Sequence, residues 1–188
     1  KNGTSETAGA PPDVCGTAAA NGGSVTYSFV AERSGTFVYQ SGTEPDIQVP
    51  MGLFGAIVVR PAGHPDWLYD NASTAFNPDR EYIHLLSEVD PALNIAMERN
   101  RPFNTRNFHP RYWFINGRTG PDTMNGAFVP EFPAQPYNAL ARMHPGERLL
   151  MRTINAGRDL HPFHTHGNNT WTVAVDGRVL ASAPAAGP

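Results

Sequence analysis

The chain has 188 residues, 40% of them hydrophobic, a formal net charge of −3 and a single lysine, Lys1. Its charges are dispersed with no basic run, which disfavours nucleic-acid binding. Its longest apolar run, residues 52–59, is well short of the roughly 18 to 20 residues needed to span a bilayer as a helix. Eighteen Gly and eighteen Pro fit many short strands joined by turns.

In chain order, residues 1–23 are small, polar and Gly/Ala-rich and read as a loop or flexible arm. Residues 24–31 alternate Val25, Tyr27 and Phe29 against Ser24, Thr26 and Ser28, the pattern of a half-buried strand. A turn at 32–35 leads into a strand over 36–39, and 53–60 form a further apolar strand. Residues 63–79 are a Pro/Asn/Asp-rich connector without a period of their own. A second unit follows over 80–188. Its first strand spans 81–89, with Ile83, Leu85 and Ser87 sharing one face. His84 lies on the opposite face, where surface or interdomain packing is the reading rather than metal binding. Residues 91–100 allow one short helical turn and 101–110 a loop. The run Arg111-Tyr-Trp-Phe-Ile-Asn-Gly117 reads as a strand ending in a tight turn. Further strands are expected over 148–154 and 171–175, the latter returning through Asp176-Gly177 into 178–180. The expected class is all-β, with strands that stop short of closing either unit.

Three of the seven histidines fall in His161-Pro-Phe-His164-Thr-His166-Gly. Neutral imidazole suits copper and zinc better than hard cations. On an extended strand His164 and His166 share a face with Cα atoms about 7 Å apart. That spacing favours two neighbouring ions, or one ion shared with another element, over chelation of a single ion. Pro162 restricts His161 to extended geometry. Asp159 is placed to orient a histidine by a hydrogen bond. His109 and His144 each precede a proline and read as turn residues, and Met151 reads as strand core. Glu88 and Asp90 are close together, but nothing in the sequence puts them at a reactive centre.

The run HPFHTHG resembles the HPxHxHG signature of the multicopper oxidases, laccase-like proteins built from cupredoxin β-barrels. Ser34-Gly-Thr-Phe-Val-Tyr39 with Met51-Gly-Leu-Phe-Gly-Ala-Ile-Val-Val-Arg60 is similar to the segment that ends the family's first domain. Gly146-Glu-Arg-Leu-Leu-Met-Arg-Thr-Ile-Asn155 is similar to a cupredoxin opening strand. The resemblance reaches across most of residues 24–180. It implies two cupredoxin-like Greek-key units, each incomplete within this chain: the C-terminal part of a first over 24–62, and a second over 80–188. It implies copper as cofactor, with His161 as a ligand of the mononuclear type 1 copper and His164 and His166 as ligands of the trinuclear cluster. It further implies a secreted, periplasmic or cell-surface location.

The chain also departs from that family. Where the first domain has a metal-binding His-Ser-His, this chain has Gln40-Ser41-Gly42, and the HCH run that carries the type 1 thiolate is absent. Cys15 is the only cysteine. Three function classes are therefore carried forward. They are a copper-dependent oxidoreductase coupling substrate oxidation to dioxygen reduction, a non-catalytic copper-binding protein, and a structural cupredoxin-like protein of an extracellular assembly. Open barrel edges and a short ligand count lead us to expect a further chain segment or another subunit that completes the barrels and copper sites.

Overall fold

The computed structural model describes residues 5–7, 26 and 28–180. Among the described residues the strands form three small sheets. The first is antiparallel, in the order β1 (Ser5–Thr7), β2 (Gly35–Ser41), β3 (Phe54–Val59). Between β2 and β3 lies the single turn α1 (Pro45–Gln48). Gly35 pairs with Val59 and Gln40 with Phe54, so the sequence 34–60 folds as one hairpin closed over α1. Part of the expected arm is thus a strand paired with β2, whereas Cys15 lies outside the described residues. The strand expected over 24–31 is not formed at its described positions 26 and 28–31, which are exposed and irregular. Among the described residues no strand pairs with it to bury its alternation.

The second sheet has the order β5 (Tyr112–Ile115), β4 (Glu81–Val89), β6 (Leu150–Asn155). β4 is central, antiparallel to β5 and parallel to β6. Strand β4 spans the expected residues, but its faces are reversed relative to expectation. His84, Leu86 and Glu88 are buried, and Ile83 is at the surface. A period of two offers two faces, and the inward one is decided by what covers it. After β4, Asp90 caps α2 (Pro91–Glu98), accepting from the Ala92 amide at 2.8 Å, with Pro91 in the first turn. This is two turns of helix where one was expected.

Asn116 and Gly117 both take positive φ, and Ile115 and Arg118 exchange backbone hydrogen bonds across them. That is the tight turn the Asn-Gly pair favours. Asp176-Gly177 does the same for the short hairpin β7 (Ala174–Val175) and β8 (Arg178–Val179). The longer strand expected over 171–175 is confined to its last two residues.

The interior is unusually polar. Leu93, Leu86, Val49 and Leu68 form its apolar part, while Ser41, Gln48, His84, Glu88, Asp90, Arg118 and Arg152 are also buried. Arg118 is satisfied without a carboxylate. Its guanidinium donates to the carbonyls of Asn125, Gly126 and Gln135 and to the Gln135 side chain, so the loop 119–135 is wound around it.

Candidate metal centre

Residues 161–173, including the whole HPFHTHG run, are irregular and not the strand expected. Pro162 withholds the amide that a ladder would use, and no strand pairs with this segment among the described residues. Leaving β6, the chain is anchored to β4 before it reaches His161. The Arg158 and Asp159 amides both donate to Glu88 Oε1, the latter at 3.1 Å. The Arg158 guanidinium donates to the carbonyls of Thr105 and Asp46 and lies 4.5 Å from the centre of the Phe108 ring. Asp159 does not orient a histidine. Its carboxylate accepts from the Trp113 indole at 2.8 Å, and Trp113 is the residue paired with Glu88 across β4 and β5.

The three histidines divide into a pair and a single. His164 and His166 are exposed, and their rings meet edge to face with Nε2 atoms 3.1 Å apart. Two nitrogens bound tetrahedrally to one ion, each at about 2.0–2.1 Å, would be separated by about 3.3 Å. The separation is compatible with two positions of a single ion, closer than the Cα spacing of a strand suggested, and in the metal-free chain it is also that of a hydrogen bond from one Nε2–H to the other ring. His161 is elsewhere. Its ring packs against β4 with Nε2 3.7 Å from Glu88 Oε2. Both of these atoms are buried without a hydrogen bond. Phe163, between the two groups, tilts against the buried His84 ring at 5.9 Å. Burial pushes the His84 pKa below the usual histidine value, the Ala139 backbone partly opposing this, and neither ring nitrogen has a hydrogen bond of good geometry.

Glu88 is the residue that sequence reasoning missed. Its side chain is 1% exposed and it faces His161 from the inward row of β4. A charged residue at an alternating position reads as solvent-facing, so only the reversed faces of β4 reveal it. Gly157 belongs with it, because a Cβ at that position would overlap the Glu88 carboxylate. A cleft of about 160 Å³ opens beside Glu88, lined also by Gln40, Asp46, Phe54, Phe108 and Arg158. His164 and His166 do not line it. Gln40 reaches this cleft from β2, and Ser41 beside it is buried against Gln48. His109 and His144 are exposed loop residues whose backbone amides bond to Asp90 and Glu147, in keeping with turn roles. Among the described residues no three His, Cys, Asp or Glu side chains converge to hold a metal ion.

No family model matches the chain, and neither does any curated protein. Among solved structures it is similar to the blue copper oxidase from Nitrosomonas europaea, with a TM-score of 0.66 and 22% identity over 96% of this chain and 52% of that one. It is also similar to the copper nitrite reductase from the same organism, at pH 8.5, with a TM-score of 0.53 and 24% identity over 84% of this chain and 49% of that one. The fold is cupredoxin-like. The chain spans about half the length of each of these structures. No helix among the described residues is long and apolar enough to cross a membrane.

Proposed function

We propose that this chain is part of a copper-dependent oxidoreductase of the multicopper oxidase type, and that it supplies part of the copper ligands. The observation that carries this is the convergence of His164 and His166 Nε2 at 3.1 Å on a fold shared with a copper oxidase and a copper nitrite reductase. His164 and His166 are the candidate ligands of one copper site, and His161 of a separate one. Copper bound there would pass electrons from a reducing substrate to dioxygen. The chain's own contribution is to keep the His164 and His166 imidazoles converging, to anchor the segment through Glu88 and the Arg158 and Asp159 amides, and to hold His161 apart from the pair. On this reading 24–62 and 80–188 are parts of two cupredoxin units joined by 63–79. The remaining ligands and strands come from another polypeptide or from a further segment, and the assembly works in a secreted, periplasmic or cell-surface setting.

A second reading, a non-catalytic copper-binding or scaffold protein, is favoured by Gln40-Ser41-Gly42, which offers no imidazole, and by the lack of a converged set of three donors among the described residues. Elemental analysis and the visible spectrum of the purified assembly separate the two. The oxidoreductase reading expects bound copper with a blue absorption band, and loss of copper from the His164→Ala/His166→Ala double variant. Full copper retention by that variant shows that the pair is not a ligand set, and bound copper without a blue band favours the second reading.

A further inference from the structure

The loop between α2 and β5 carries cations that the fold does not use. Residues 99–111 contain Arg99, Arg101, Arg106 and Arg111 and no Asp or Glu. All four arginines are exposed, and none of their guanidinium groups has an ion pair or hydrogen bond among the described residues. The backbone that carries them is nonetheless fixed. The Arg101 amide donates to the Ala96 carbonyl at 2.8 Å, and the Arg111 amide to that of Val89 at 3.0 Å. The Asn104 side chain accepts from the Arg106 amide at 3.1 Å, and Asp90 holds the His109 amide. Arg158 closes the loop from outside, donating to the Thr105 carbonyl and lying over the Phe108 ring. A cation at a helix C-terminus favours the helix dipole, but that effect fades beyond the last turn and accounts only for Arg99, the residue that ends α2. Like charges carried on one fixed loop repel one another, and no ion pair among the described residues relieves them.

We propose that this loop, with Tyr112 and Trp113 at its end, is the docking surface for an acidic protein. Tyr112 and Trp113 are 53% and 50% exposed, and Arg, Tyr and Trp are the side chains enriched at the energetic centres of protein interfaces. Of the loop only Phe108 lines the neighbouring cleft. The four arginines therefore present a surface rather than a pocket, which suits a broad partner better than a small anion. The rest of the chain decides the class of partner. It holds all 17 of the acidic residues, so it is more acidic than the overall charge of −3 indicates. A nucleic acid or an anionic bilayer is an extended polyanion and would run past the loop onto that acidic remainder. A compact acidic patch meets the arginines alone, since charges more than about 8 Å away are screened at physiological salt. Complementarity of this kind steers the encounter and fixes the orientation of the partner. Docking needs no bound copper. It would seat the partner beside the segment that carries His161, because Arg158 joins that segment to the loop.

The test titrates the full chain, labelled with 15N, with a plant-type ferredoxin as a compact acidic probe and, in parallel, with phosphatidylglycerol vesicles. At low ionic strength ferredoxin is expected to shift the amide signals of residues 99–113 most, and its binding should weaken as salt rises. This map needs no variant. Arg99→Gln/Arg101→Gln/Arg106→Gln/Arg111→Gln should unfold at the same urea concentration as the wild type, because the four guanidinium groups have no partner in the fold. It should bind ferredoxin at least about tenfold more weakly, the combined effect of four exposed ion pairs of ordinary strength. Arg106→Gln/Arg111→Gln should lose about threefold on the same basis. Arg142→Gln/Arg178→Gln makes the same change of charge at two exposed arginines elsewhere and is expected to bind as the wild type does. Absence of binding at low salt overturns the proposal. So do shifts centred outside 99–113, or unchanged affinity in the folded fourfold variant. Vesicle binding as tight as that of ferredoxin, and lost with the same arginines, puts a membrane in the place of the protein partner and overturns it equally.

Discussion

Glu81 is the residue on which the junction of the two larger sheets depends. It opens β4, and its carboxylate accepts from Arg60, just past β3, and from Arg152 of β6 at 2.6 Å. Arg152, 4% exposed, also donates to Thr36 of β2, and both guanidinium groups lie near the Phe76 ring. Removing the carboxylate leaves a buried guanidinium without its counter-charge, which typically costs about 3–5 kcal/mol. We expect Glu81→Ala to lose about 3 kcal/mol, at the low end because Arg60 is partly solvated, measured by urea unfolding at neutral pH. Burial by itself raises the Glu81 pKa, but the hydrogen bonds from Arg60 and Arg152 outweigh it and hold the carboxyl below its ordinary value. The stabilisation is therefore complete above the unfolded-state pKa and is lost as pH falls through the lower folded-state value. Acid unfolding of Glu81→Ala should accordingly show a shallower pH dependence than the wild type, and an equally steep acid limb would show that Glu81 does not carry it. Neither this cluster nor Glu88 was legible in the sequence. Their partners are 21 to 71 residues away, and no local pattern encodes such pairings.

At the scale of elements, the local signals worked where a partner strand existed. The strands near 36–39 and 53–60, the span of β4 and the turns at Asn116-Gly117 and Asp176-Gly177 all follow from alternation and turn chemistry, whereas the pairing of the first two as one hairpin does not. The same alternation, at the described positions 26 and 28–31, and the segment 171–173 form no strand among the described residues, because a ladder needs a neighbour as well as a pattern. Asp90 shows how a polar residue can be element-defining without being catalytic. Its Oδ1 caps α2 at the Ala92 amide and its Oδ2 accepts from the His109 amide at 2.9 Å, tying the loop after the helix back to its start. Loss of a cap costs about 0.5–2 kcal/mol, and the His109 amide loses its acceptor as well. Asp90→Ala should therefore destabilise by about 2 kcal/mol, near the upper end of capping effects. Asp90→Asn, which can still cap, should recover about half of that in thermal or urea unfolding, since Asn caps nearly as well as Asp. Equal losses for both variants would shift the origin from capping to charge.

For the whole molecule, the likeness to copper proteins and the donor inventory point in different directions, and their conflict yields the last prediction. The cupredoxin-like fold and the His164–His166 convergence suit copper. Yet the described residues bring only that pair together, hold His161 at a separate place beside Glu88, and gather no third donor around either. A well-held copper takes three or four protein ligands. A redox centre with two imidazoles on an exposed loop would exchange its metal readily and leave its remaining positions to solvent. Gln40-Ser41-Gly42 does not make up the shortfall, since Gln40 lines the cleft beside Glu88, which neither His164 nor His166 lines, and Ser41 is buried against Gln48. This much was readable from the motif and its departures. The sequence could not reveal that the two parts of HPFHTHG face different surroundings, because that depends on how β4 is covered. Residues 1–188 expressed alone, in excess copper and with a phenolic or diamine substrate, should therefore consume oxygen no faster than free copper does. The copper that they take up should be removable by a chelator of moderate strength. Sustained turnover by the monomeric chain, sensitive to His164→Ala/His166→Ala, would mean that two converging imidazoles and solvent suffice, and the requirement for a partner would fall.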